Sequence, residues 1–158
     1  MRNSIMLCIM VSLAALTGLA MADVVINEVE LNPPANGIMW VELYNSGQEN
    51  VSVGGWKVVL MDEAWQGPMT VPEGTMISPS GFLVLEGLDT WVGHINATAI
   101  LYDQNGSEID RSRALLDERA STFTWGRLPD GKDTDTNRDW ANMLGSKGKP
   151  NGAGSVRT

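Results

Sequence analysis

The sequence predicts an all-β chain folded as a sandwich of about seven short strands. Two observations carry this expectation. Short β-branched or aromatic runs recur along the chain, each closed by Gly, Asn, Pro or Asp. Helical periodicity is scarce: only 111–119 has a weak helical pattern, read as a loop with at most one turn. That many short strands in a chain of this length suggest a sandwich.

The runs are 24–31, 40–45, 56–61, 82–86, 99–103, 107–110 and 121–128. The turns between them have chemical reasons. Asn32-Pro33-Pro34 ends the first run, because proline brings no N–H to a ladder. Gly54-Gly55 lets the chain turn sharply into Trp56. Gln104-Asn105-Gly106 joins two strand-like arms, and Asn-Gly favours a tight hairpin. In Pro129-Asp130-Gly131 the proline ring presets the backbone for a turn. In 40–45, Val41 and Leu43 share one face while Trp40, Glu42 and Tyr44 share the other, so this strand is expected to be covered on both sides. Beyond Leu128 the chain becomes polar and Gly-rich; fraying is expected from Lys147, with a loose tail over 153–158. No internal repeat, linker or second domain is visible.

Residues 1–22 read as a signal peptide. Arg2 supplies a positive start, 5–19 is apolar apart from Ser12, Thr17 and Gly18, and Ala20-Met21-Ala22 gives the small-x-small pattern that a signal peptidase needs. Cleavage before Asp23 is expected, leaving one domain over 23–152. The alternative is a retained anchor, since the apolar stretch is nearly long enough to span. Against it, Val24-Val25-Ile26 reads as a strand at once, with no polar linker. Cleavage removes Cys8, the one cysteine, so the remainder has no disulfide and must hold together by packing. It also removes Arg2, leaving 10 basic against 19 acidic residues, a net charge of −9. Such a chain is repelled by phosphate backbones and anionic membranes. Arg111, Arg113 and Arg119 form too small a basic cluster to offset that field, so nucleic acid is not an expected partner.

The order of segments carries a resemblance. Val25-Ile26-Asn27-Glu28-Val29 is followed by Asn32-Pro33, then Trp40-Val41-Glu42-Leu43-Tyr44-Asn45, then Gly55-Trp56 entering a strand. Leu101-Tyr102-Asp103, Gly106 and Ile109-Asp110 come next, then Trp125-Gly126-Arg127 with Pro129-Asp130-Gly131, and Gly148, Pro150 and Asn151 close the series. This series resembles the lamin tail domain family as found in secreted prokaryotic proteins. The resemblance covers nearly all of the chain after residue 22. It departs at Gly37-Ile38-Met39, where little polar spacing precedes the tryptophan, and at Ser146-Lys147-Gly148-Lys149-Pro150-Asn151, which differs from the usual small-Pro-Gly ending. The resemblance implies an immunoglobulin-like sandwich and an interaction module, sometimes borne beside catalytic domains. A fold does not carry a function with it.

Each candidate site has a plain structural alternative. His94, the single histidine, lies in a loop with no motif serine near it, and reads as a surface or hinge residue rather than a catalytic base. One His without a cysteine makes a poor zinc site. Glu28 and Glu42 lie on strands expected to be neighbours; such a pair suits acid–base hydrolysis, or else is exposed or ion-paired. Asp133, Asp135, Asn137 and Asp139 have the spacing of the start of a calcium loop. Arg138 stands where the turn glycine belongs and Leu144 where the closing glutamate does, so calcium is not expected to hold the fold. Asn50, Asn96 and Asn105 match the N-glycosylation pattern. Trp40, Trp56 and Trp125 are expected in the core, while Trp65, Trp91 and Trp140, in loops, are candidates for stacking on sugars. Arg127 is expected to pair with Glu42, since a buried charge must find a partner.

No residue is assigned a catalytic, cofactor or metal role, and no cofactor is expected. The expected function is a secreted or cell-surface, non-catalytic interaction or structural module, with a protein or cell-envelope component as partner. The alternatives are a small secreted hydrolase using carboxylates, with or without a metal, and a carbohydrate-binding module. The long tryptophan-bearing loops 63–74, 87–98 and 132–145 are the expected binding loops.

Overall fold

The computed structural model describes residues 23–91 and 96–152. The expected signal peptide, His94 and the 153–158 tail lie outside them.

Two antiparallel sheets face each other. The first has the order β12 (Trp140–Leu144), β11 (Phe123–Arg127), β1 (Val24–Glu30), β2 (Trp40–Asn45), β7 (Phe82–Glu86). The second has the order β10 (Leu115–Leu116), β8 (Asn96–Tyr102), β4 (Lys57–Met61), β5 (Gln66–Thr70), and β9 (Glu108–Arg111) also pairs with β8. A short pair joins β3 (Val51–Ser52) to β6 (Met76–Ile77). The fold is the expected immunoglobulin-like all-β sandwich, with twelve strands described rather than about seven.

The five extra strands have visible reasons for escaping notice. β3, β6 and β10 are two residues each. β5 reads Gln-Gly-Pro-Met-Thr, whose Gly and Pro look like a loop. β12 follows a polar loop and shows no clean alternation. Two of the expected binding loops are therefore corrected: 63–74 contains β5 and 132–145 contains β12, while β8 already begins at Asn96. The 111–119 stretch has no helical turn; it ends β9 and forms β10.

Alternation builds the core. Val24 and Ile26 of β1 and Val41 and Leu43 of β2 meet Val58 and Leu60 of β4 and Ala99 and Leu101 of β8, all nearly free of solvent contact. Each such aliphatic side chain contributes roughly 1.5–3 kcal/mol on burial. The phase then slips. β1 pairs Ile26 with Leu43, but Glu28 with Glu42, so Asn27 is an extra residue in a bulge. The slip returns Val29 to the core opposite Val41 and turns Glu28 to the sheet's outer face. As expected, β2 is covered on both sides: Val41 and Leu43 inward, Trp40 and Glu42 outward, all buried.

The outer cover is the C-terminal segment. The expectation of fraying from Lys147 is corrected up to Gly152. Lys149 N donates to Ser146 O at 2.8 Å, closing a turn in which Gly148 has a φ of 74°, a conformation that favours glycine. This turn lays Ser146–Asn151 against Glu28 and Glu42.

Candidate functional site

The Asn27 bulge assembles the first polar cluster. Glu28 and Glu42 sit directly opposite each other, as their strands suggested, with neither exposed. Glu28 accepts hydrogen bonds from Thr124 Oγ1 at 2.5 Å and Ser146 N at 2.8 Å. Glu42 accepts from Asn27 Nδ2 at 3.1 Å and from Gly148 N at 2.6 Å. Asp130 joins by accepting from Asn27 Nδ2 and from Asn151 N, each at 2.9 Å. Asn151 Nδ2 donates to the carbonyls of Asn27 and Arg127.

Burial pushes both carboxyls up, Glu42 to about 7; the Glu28 and Asp130 charges add to the rise at Glu42, and Asp130 adds to it at Glu28. The hydroxyl of Ser146 lies 2.8 Å from Glu28 Oε2 and 2.7 Å from Asn151 Oδ1, two acceptors for one proton. A protonated Glu28 resolves this by donating to Ser146 Oγ, which then donates to Asn151. Glu30, further along β1, is pushed to about 8 by burial, although Asn32 N donates to it. These shifts resemble those of general acids, but Glu28 and Glu42 are both fully buried beneath the C-terminal segment.

Arg127 organises the second cluster, and its expected partner is corrected. It binds Asp110 through Nη2 at 2.8 and 3.0 Å, Asp133 through Nη1 at 2.8 Å, and lies 3.8 Å from Asp139. Glu42 is on the wrong face. Thr124 of β11 bonds outward to Glu28, so by alternation Trp125 takes the inner face, and Arg127 with it, toward β9 of the other sheet. Nε donates to Ile26 O and Nη1 to Lys132 O, so every guanidinium nitrogen is engaged. Asp110 also accepts from Ile26 N at 2.7 Å. Burial pushes the Asp110 carboxyl up, against the pull of Arg127.

The calcium-like spacing belongs to this cluster. Burial alone would raise the Asp139 carboxyl, but hydrogen bonds from Thr134 N, Thr134 Oγ1 and Thr136 N, together with Arg127, hold it low. Asp135 is exposed, and Asn137–Asp139 form a single 3₁₀ turn. The loop thus wraps a guanidinium. Among the described residues no group of three His, Cys, Asp or Glu side chains is placed to hold a metal ion. A cleft of about 320 Å³ opens between this loop and Arg111 and Arg113.

The tryptophans are engaged as well. Trp140, expected in a loop, is buried in β12 with Arg127 over its ring at 5.0 Å. Lys147 stands over Trp40 at 5.5 Å and Arg113 over Trp125 at 4.7 Å. Trp125 Nε1 donates to Leu116 O, and Trp56 packs on the core. Trp65 and Trp91 meet edge to face, 5.1 Å apart, above Gly67 and Gly87, which leave room for the rings. They form no flat row of free ring faces. Asn50, Asn96 and Asn105 are all exposed.

Asn27, Asp110, Asp130, Ser146 and Asn151 carry these clusters and were not singled out as polar anchors from the sequence. The signal for Asn27 was there: the core residues Ile26 and Val29 are three apart in a strand of period two.

A sequence model of the Lamin Tail Domain matches residues 19–114, from just before β1 to just past β9. The chain belongs to the lamin tail domain family. The family's immunoglobulin-like domain serves as an interaction or structural module, and this lamin tail domain has its expected sandwich. The match stops short of β11 and β12, which complete the first sheet here. No curated protein matches the chain.

Proposed function

We propose that this lamin tail domain is an exported, non-catalytic binding or structural module, with a protein or cell-envelope component as its partner. One observation supports the non-catalytic reading. The deeply buried Glu28, Glu42 and Arg127 are engaged in holding the C-terminal segment and the 129–139 loop, with none facing solvent. A general acid or base must come within hydrogen-bond reach of its substrate. Export is supported by Arg2, the apolar run and Ala20-Met21-Ala22. The acidic balance favours a partner other than nucleic acid.

The test is turnover. Purified protein is incubated with glycans, peptides and nucleic acids, with and without divalent metals, and no hydrolysis is expected. Hydrolysis that vanishes in a folded Glu28→Gln or Glu42→Gln variant would replace this reading with a carboxylate hydrolase. Export is tested separately by the mass of protein recovered outside the producing cells: a chain starting at Asp23 is expected, and an intact Met1 end overturns it.

A further inference from the structure

We propose that the free edge of β7 pairs with β7 of a second copy of this chain, antiparallel about a two-fold axis at Val84. β7 ends the first sheet, with β2 on one side and, among the described residues, no strand on the other. Its hydrogen-bond phase is set at both ends: Gly87 N donates to Met39 O at 2.8 Å, and Gly81 O accepts from Asn45 N at 3.1 Å. Bonded residues alternate in an antiparallel pair. Leu83 and Leu85, opposite Leu43 and Val41, therefore turn their backbone groups to β2. Phe82, Val84 and Glu86 turn theirs away, where no backbone partner stands among the described residues.

Natural sheets blunt their edges, and the other edges of the two main sheets are short, interrupted or partly closed. The same phase argument turns Pro68 outward on β5, between Asp62 N bonded to Trp65 O and Val71 N bonded to Trp56 O, and proline offers no N–H. β10 is two residues long. β9 carries a bulge at Ile109, and on β12 the N–H of Trp140 closes on Asn137 O, leaving only Asn142 and Leu144 to face outward. β7 has no proline, lysine or bulge, only Phe-Leu-Val-Leu-Glu in unbroken register. A groove of about 500 Å³ lies beside it toward β5, with Met69, Leu83 and Leu85 in its walls.

The charges favour a second copy as occupant. Glu86 is the strand's one charge, and Lys147 pairs with it. In the two-fold register Val84 faces Val84, Leu83 faces Leu85, and Glu86 faces Phe82, so no like charges meet across the seam. The net charge of −8 on each chain repels at long range, so salt, by screening it, strengthens the pairing.

Sedimentation velocity over a wide concentration range in high salt tests this, with amide exchange as the local readout. The expected result is a monomer–dimer equilibrium in which the Val84 amide exchanges more slowly as concentration rises, while Leu83 and Leu85 are protected throughout. Val84→Lys sets two ammonium groups across the axis, and Val84→Pro removes the central outward N–H without touching the β2 ladder. Both should be monomeric. If Val84→Pro fails to fold, Val84→Lys decides. A monomer at every concentration overturns the proposal and leaves the edge to a foreign strand. So does a dimer that survives Val84→Lys, or one whose Val84 exchange ignores concentration. Sedimentation reads self-pairing whether or not the domain is catalytic, so either proposal can fail without the other.

Discussion

Arg127 lies between carboxylates from different parts of the chain, and its removal strands them. Asp110 and Asp139 are both buried, and without the guanidinium each keeps its desolvation and loses its counter-charge. Breaking a buried pair by deleting one partner costs roughly 3–5 kcal/mol. Arg127→Met should therefore lower stability by about that much in urea denaturation; an unchanged midpoint would mean the network carries no weight. The glutamates titrate in the opposite sense from a salt-bridged acid. The folded state raises Glu42 from 4.5 to about 7 and Glu30 from 4.5 to about 8, with Glu28 and Asp110 also raised. The folded chain thus holds protons that the unfolded chain has released. Their contribution is whole below about 4.5 and is lost as pH rises through about 7 and 8. For Glu42 alone the loss is on the order of 3 kcal/mol, at about 1.4 kcal/mol per pH unit. The melting temperature should fall between mildly acidic and mildly alkaline pH, and Glu42→Gln should flatten that fall. A melting temperature that rises over this range would contradict the assignment.

The C-terminal segment has no strand of its own, yet it seals the outer face of the first sheet. Its grip is polar: three backbone N–H groups and the Ser146 and Asn151 side chains meet Glu28, Glu42, Asp130 and two carbonyls. Asn151→Ala strips the cap from the Asn27 and Arg127 carbonyls, a loss of about 1–3 kcal/mol for unsatisfied buried groups. The Ser146 and Gly148 amides should then exchange faster than in the parent protein, while those of β2 do not. Equal exchange would show that the segment is held by something else. This role was not legible in a polar, Gly-rich stretch, because its partners lie up to 124 residues away in the chain. The strands were legible because alternation and turn chemistry are local: β2 and β7 match the residues expected of them. Arg127 was read as buried and charged, correctly, but its partner depended on which face of β11 it took, and only pairing with β1 decides that.

At the scale of the whole molecule, the family match and the folding unit have different ends. Residues 19–114 take in β1 to β9, but not β10, β11, β12 or the covering segment. Without β11, β1 becomes an edge strand whose outer face carries Glu28 and Glu30 bare, and the sheet order shrinks to β1-β2-β7. Asp110 then stays between the sheets with Ile26 N for company and no cation. The interior also loses Trp140 from its packed cluster, together with the half-buried Trp125. These losses act together, since they remove a hydrogen-bonded edge, a buried ion network and core volume from one side of a sandwich with no disulfide among its described residues. A chain ending at Ala114 should therefore lack a cooperative thermal transition and show the collapsed amide dispersion of an unfolded protein, whereas one ending at Gly152 should melt as the parent does. A sharp, reversible transition in the shorter chain would show that β11, β12 and Arg127 decorate a core that folds without them.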